Sequence, residues 1–140
     1  MAERLVVGSD EITLHVTSES SDGALVACAV TIPPGGGPPA MHRHPSAEVY
    51  RGEAGVLAVY VEDREGAVQR IAVARGVTVH IPGGRPHTVR NESPFEARAY
   101  VTFVPGTEME GFVRAVASRP QDVMALAERH GIEITGPAPE

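Results

Sequence analysis

Apolar and polar residues alternate along much of this chain. In residues 11–17, Ile12, Leu14 and Val16 fall on one face and Thr13, His15 and Thr17 on the other, the period of two of a half-buried strand. Residues 24–32 are apolar at almost every position, which predicts a strand covered on both faces, by a barrel core and by a partner subunit. The run 33–39, Pro-Pro-Gly-Gly-Gly-Pro-Pro, is a loop, because proline cannot donate to a sheet and glycine favours turns. Further strand-like stretches fall at 47–52, 55–62, 66–73, 77–81, 86–91 and 95–104. Many short strands between turn residues predict an all-β sandwich or barrel.

The period changes after Pro105-Gly106. Met109, Phe112, Val113 and Val116 recur at helical spacing, as do Val123, Leu126, Ala127 and His130. Pro120 suits the first turn of the second helix, Asp122 opposes its dipole, Gly131 supplies a left-handed stop and Ile132 the apolar contact after it. The expected organisation is a β-barrel over 1–106 and a helical segment over 107–140 packed on the same domain.

Composition narrows the function classes. The charge of −6 comes from 18 acidic residues against 12 basic ones, and every basic residue is Arg. With six aromatic residues and no basic run, binding to nucleic acid or an anionic membrane is not expected. No apolar stretch approaches the ~20 residues of a membrane span, and Met1-Ala2-Glu3-Arg4 lacks a signal-peptide layout. The single Cys28 has no internal disulfide partner and reads as a small buried hydrophobe. A cytoplasmic protein with a small-molecule substrate is the expectation.

The chemistry gathers in two clusters. His42 and His44 are two apart, so on a strand both imidazoles project to one face. Glu48 follows the turn at Pro45-Ser46, and His87 begins the strand after the 82–86 turn. Three imidazoles and one carboxylate suit one divalent ion of Fe, Mn, Co, Ni, Cu or Zn, with positions left for water, substrate or dioxygen.

The spacings carry a family resemblance. Gly36, His42, His44, Glu48 and Gly55 match the first motif of the cupins position for position, and Gly76, Pro82, Gly84, His87 and Asn91 match the second. Over about residues 20–105 the chain resembles a small single-domain cupin of the quercetin-dioxygenase-like kind. The resemblance implies a double-stranded β-helix, or jelly roll, with the metal near one mouth and pairing into homodimers. It gives Glu48 a catalytic role, as a ligand that loosens to take the substrate proton. A dioxygenase acting on a small enol, phenol, carboxylate or thiol compound is the leading expectation. A non-oxidative metal enzyme (isomerase, cyclase, decarboxylase or lyase) and a binding or sensing domain without turnover are the alternatives.

One stretch departs from the family. Tyr50-Arg51-Gly52-Glu53 stands where cupins continue an apolar strand. By period two, Tyr50 and Gly52 share the inward face of Glu48, so both are substrate-pocket candidates. Gly52 reads as room beside the metal, tolerant of valine in folding terms, or as a strand irregularity. Arg85, in the turn before His87, is placed to meet an anionic substrate or to face solvent. His15 and His80 fall on polar faces, and His130 complements a helix C-terminus. The Met109, Phe112, Val116 stripe packs on the barrel exterior or covers its mouth.

Overall fold

A computed structural model describes residues 3–118 and 122–139. The expectations placed on Met1, Ala2 and Pro120 lie outside the described residues. In chain order the strands are β1 (Glu3–Val7), β2 (Asp10–Val16), β3 (Val26–Ile32), β4 (Ala40–Arg43), β5 (Ala47–Ala54) and β6 (Leu57–Glu62). They continue with β7 (Val68–Val73), β8 (Thr78–Ile81), β9 (His87–Arg90) and β10 (Ala97–Val104). Helices α1 (Thr107–Ala117) and α2 (Val123–Arg129) and a last strand, β11 (Glu133–Pro137), complete the chain.

The strands form two sheets, in the orders β1-β2-β3-β10-β5-β8 and β11-β4-β9-β6-β7, with antiparallel pairing throughout. Sequential strands repeatedly land in opposite sheets, so each crossing wraps the chain around one interior. This is the jelly-roll barrel. Inward positions of both sheets meet in a single core that includes Leu14, Val26, Leu57, Val59, Val89 and Val101.

β3 sits centrally between β2 and β10, with α1 packed against β1 and β3. Of its outward positions, Ala27 is buried and Ala29 and Thr31 are half-buried. Asn91 ties the loops together: its Nδ2 donates to Ile32 O at 2.9 Å and Phe95 O at 2.7 Å, and its Oδ1 accepts from Ser93 N at 3.0 Å. A buried amide satisfied on both ends explains asparagine at that motif position.

The expected helices form, and Asp122 caps α2 by accepting from Ala125 N at 3.0 Å. Gly131 stops α2 at φ +78° and Ile132 is buried. The segment after 107 is not wholly helical, however. β11 adds to the edge of β4, with Ile134 opposite His42. Its alternating Ile-Thr-Gly-Pro end is too short and too rich in breakers to announce itself, and it becomes a strand because β4 offers an open edge. β1 escaped the pattern reading for a similar reason: it lies on the sheet edge and is mostly exposed.

Candidate metal centre

His42 and His87 stand directly opposite one another on β4 and β9. His44 lies one residue beyond β4, in the corner that carries the chain to the other sheet, where Glu48 sits on β5. The two motifs are joined at that corner. Gly84, at φ +80°, turns the chain so that its N–H donates to His44 O at 2.8 Å, a backbone conformation glycine adopts without strain. The ring nitrogens of His42, His44 and His87 approach within 4.8 Å of one another. Glu48 joins through two of them: its Oε2 lies 3.1 Å from His44 Nε2 and against His87 Nε2.

Each imidazole has its tautomer set from outside the cluster. His42 Nδ1 lies 2.9 Å from Ala40 O, His44 Nδ1 3.0 Å from Ser46 O, and His87 Nδ1 2.8 Å from Arg85 O. A carbonyl only accepts, so Nδ1 carries the proton in all three and Nε2 turns a bare lone pair inward. His44 Nε2, His87 Nε2 and Glu48 Oε2 are buried without a hydrogen-bond partner among the described residues. Lone pairs facing one another in a buried site call for a cation between them, and backbone-anchored imidazoles are how proteins orient metal ligands. The residues fit a divalent transition metal.

The charges agree with that fit. Burial raises the proton affinity of Glu48, but the imidazoles of His44 and His87 outweigh it and hold the carboxyl well below its usual range. Burial, with His87 beside it, pushes His42 down to about 4, so it stays a neutral ligand. Burial also disfavours a charged His87, yet the Glu48 carboxylate raises it above the ordinary value.

A cavity of about 210 Å³ opens onto the cluster, with His42, Glu48, Tyr50 and Cys28 in its wall. Met109, Phe112, Ala127, Ile132 and Ile134 close it from the C-terminal segment. Of the two readings of the helical stripe, Met109 and Phe112 thus cover the barrel mouth, and Val116 stands further out. Cys28 shares the inward face of Val26, Val30 and Ile32 and is buried there, as a small hydrophobe was expected to be.

Two expectations are corrected. A Cβ on Gly52 would lie 2.0 Å from Ala74 O and 2.6 Å from Ala74 C, while Gly52 N donates to Val77 O and Gly76 N to Gly52 O, both at 2.9 Å. Gly52 makes room for a neighbouring backbone, not for substrate, and the ladder between β5 and β10 slips beside it. Arg85 does not line the cavity. Its guanidinium reaches Glu62 O at 3.5 Å and its carbonyl anchors His87, so its contribution is a backbone acceptor. His80 and His15 are exposed, the latter 3.3 Å from the Tyr100 hydroxyl, and His130 caps the C-terminus of α2.

Among the described residues, eleven strands wind into a jelly-roll barrel whose histidine–carboxylate cluster, beside an internal cavity, could hold a metal ion. The chain belongs to the cupin family: the Cupin domain model matches residues 29–103. No curated protein matches it. Among solved structures it is similar to oxalate decarboxylase of Bacillus subtilis, with 20% identity, a TM-score of 0.64, and coverage of 75% of this chain and 28% of that one. An RmlC-like cupin from Shewanella frigidimarina matches at 18% identity and a TM-score of 0.63, over 79% of this chain and 89% of that one. An oxalate oxidase in complex with glycolate matches at 23% identity and a TM-score of 0.58, over 86% and 64%. This chain spans little more than a quarter of the decarboxylase. At these identities the likeness is one of fold.

Proposed function

We propose that this cupin is a metal-dependent dioxygenase acting on a small compound that binds as an oxygen or sulfur anion. The observation that supports it most is the convergence of three imidazoles and the Glu48 carboxylate beside a largely apolar cavity that His42 and Glu48 help to line. His42, His44 and His87 would hold the ion with Glu48 as the fourth ligand. A redox-active divalent ion bound there would supply electron transfer between such an anion and dioxygen. The chain's own residues do the rest. Among the described residues Glu48 is the one carboxylate paired with the imidazoles, and it accepts the substrate proton as general base. Ile32, Val101 and Phe103 exclude water, which strengthens every charge interaction inside.

A second reading, non-oxidative proton transfer, is favoured by Tyr50. Its phenol is buried beside Glu48, and burial with that carboxylate raises it well above its ordinary value. A proton acceptor next to a protonated hydroxyl is the equipment of an isomerase or lyase. We carry the homodimer expected of the family into the proposal, with sedimentation as its check.

The test begins with metal analysis of protein purified without chelators, followed by reloading with iron, manganese, nickel, cobalt, copper or zinc. Oxygen uptake is then recorded with enol, phenol and thiol compounds. Uptake coupled to substrate loss with a redox-active ion, and none with zinc, is the expected result. Turnover with zinc and no uptake moves the assignment to the second reading, and binding without product makes the chain a sensor.

A further inference from the structure

Two cavities meet at one neck. Beside the inner cavity of about 210 Å³ lies a second of about 500 Å³, bounded by the 8–10 turn, the 37–39 loop and α1. Val6, half exposed, lines it, so this chamber reaches the surface. Asp10, Pro39, Phe112 and Val123 belong to both walls, so the two spaces adjoin along these residues. Phe112 is braced edge-on against the His130 ring, with centroids 6.2 Å apart. Asp10 is fixed by the opposite loop, its Oδ1 accepting from Gly37 N at 3.3 Å and from the Ser9 hydroxyl at 3.4 Å.

The charge along this route has one sign. Among the described residues lining either cavity there is no Arg or Lys, whereas Asp10 stands at the neck and Glu48 at the end. A preformed anion taking this path leaves water, passes a carboxylate and meets no counter-charge until the metal centre, and an unpaired charge in apolar surroundings is costly. A neutral molecule carries its proton through and becomes an anion only beside Glu48. Size points the same way: a dry cavity of about 150 Å³ holds benzene, so the inner chamber takes a ring-sized body with a small head.

We infer that the Asp10–Phe112 neck admits substrates that arrive uncharged, namely ring-sized apolar phenols, enols or thiols, and turns away carboxylates and phosphates. This rests on the metal-enzyme reading above for the identity of the inner site, but the selectivity of the neck is measurable without it.

Cys28 is the single thiol of the chain and lines the inner cavity, so its modification reports passage through the neck whether or not metal is bound. Methyl methanethiosulfonate is neutral and its sulfonatoethyl analogue is anionic. With either, the Cys28 sulfur forms a disulfide with the reagent's thio sulfur and methanesulfinate leaves. Burial, with Glu48 nearby, pushes the thiol up to about 12, which slows both reactions alike. Rates followed by intact mass are therefore divided by those on N-acetylcysteine, and the ratio of neutral to anionic reagent is read. The expected preference at Cys28 is about tenfold or more beyond the free thiol, falling about threefold or more in Asp10→Asn, the scale of local charge on encounter rates. Phe112→Leu, which keeps an apolar residue for folding, speeds the neutral reagent. Equal relative rates, a Cys28 that neither reagent reaches, or a preference unchanged in Asp10→Asn overturns the inference. Metal content is measured on the same preparation, so a selective neck in a protein that takes up no metal refutes the metal-enzyme reading alone.

Discussion

Three imidazoles spend their Nδ1 protons on carbonyls two residues away, which leaves Glu48 as the only ligand able to change its bonding without disturbing the backbone. Glu48→Gln retains an amide oxygen for the metal and loses the capacity to accept a proton. The expected outcome is retained metal, by elemental analysis, with turnover down about 10²-fold or more; parallel loss of both would make Glu48 a structural ligand. Gly52 gives the opposite kind of prediction. With its Cβ position 2.0 Å from Ala74 O, Gly52→Val has to push apart a main-chain seam. Overpacking costs about 1–3 kcal/mol where side chains can shift, and backbone shifts less readily, so the upper end or beyond is expected in denaturant unfolding. A neutral result would show that the 74–77 segment moves freely.

At the scale of elements, the site depends on strands that are short by themselves. β4 has four residues and is held between β9 and β11, so His42 faces His87 on one side and Ile134 on the other. The C-terminal segment thus shares in building the metal sheet as well as covering the cavity. Its anchor is Ile132, 4% exposed, directly after the Gly131 stop. Ile132→Ala removes buried methyl groups from the junction of α2 and β11 and is expected to cost about 2–5 kcal/mol. Hydrogen exchange should show the loss concentrated in residues 107–137, with β6 and β7 retaining their protection; uniform loss would mean that the segment opens only with the whole barrel.

For the whole molecule, the metal is the missing partner of three buried acceptor atoms, so binding and folding are linked. At a free ion concentration about 100 times Kd, binding adds about 2.7 kcal/mol, on the order of 5–10 °C in Tm for a chain of this size. Chelation should reverse that gain in a thermal scan. In the double variant His44→Ala, His87→Ala, metal addition should leave Tm unchanged and the ion should not co-purify. Full metal occupancy in that variant would remove these residues from the site. No helix among the described residues is long and apolar enough to cross a membrane, and the charge of −6 sets the general field against anionic partners, in keeping with the acidic neck.

What the sequence determined by itself was whatever depends on local period and fixed spacing. Alternation located most strands to within about two residues, because the side-chain period is a property of the strand itself. The ten motif positions marked the imidazole cluster and its glycine turns, because ligands that converge from a tight corner leave little freedom in spacing. Gly52, Arg85 and β11 were different. Gly52 faces a backbone segment more than twenty residues further along the chain, Arg85 contributes its carbonyl where only its charge was legible, and β11 is a strand because β4 has an open edge. The neck between Asp10 and Phe112 joins residues about a hundred positions apart. Contacts of that kind follow from how two sheets and a C-terminal cover close around one interior, and no local pattern encodes them.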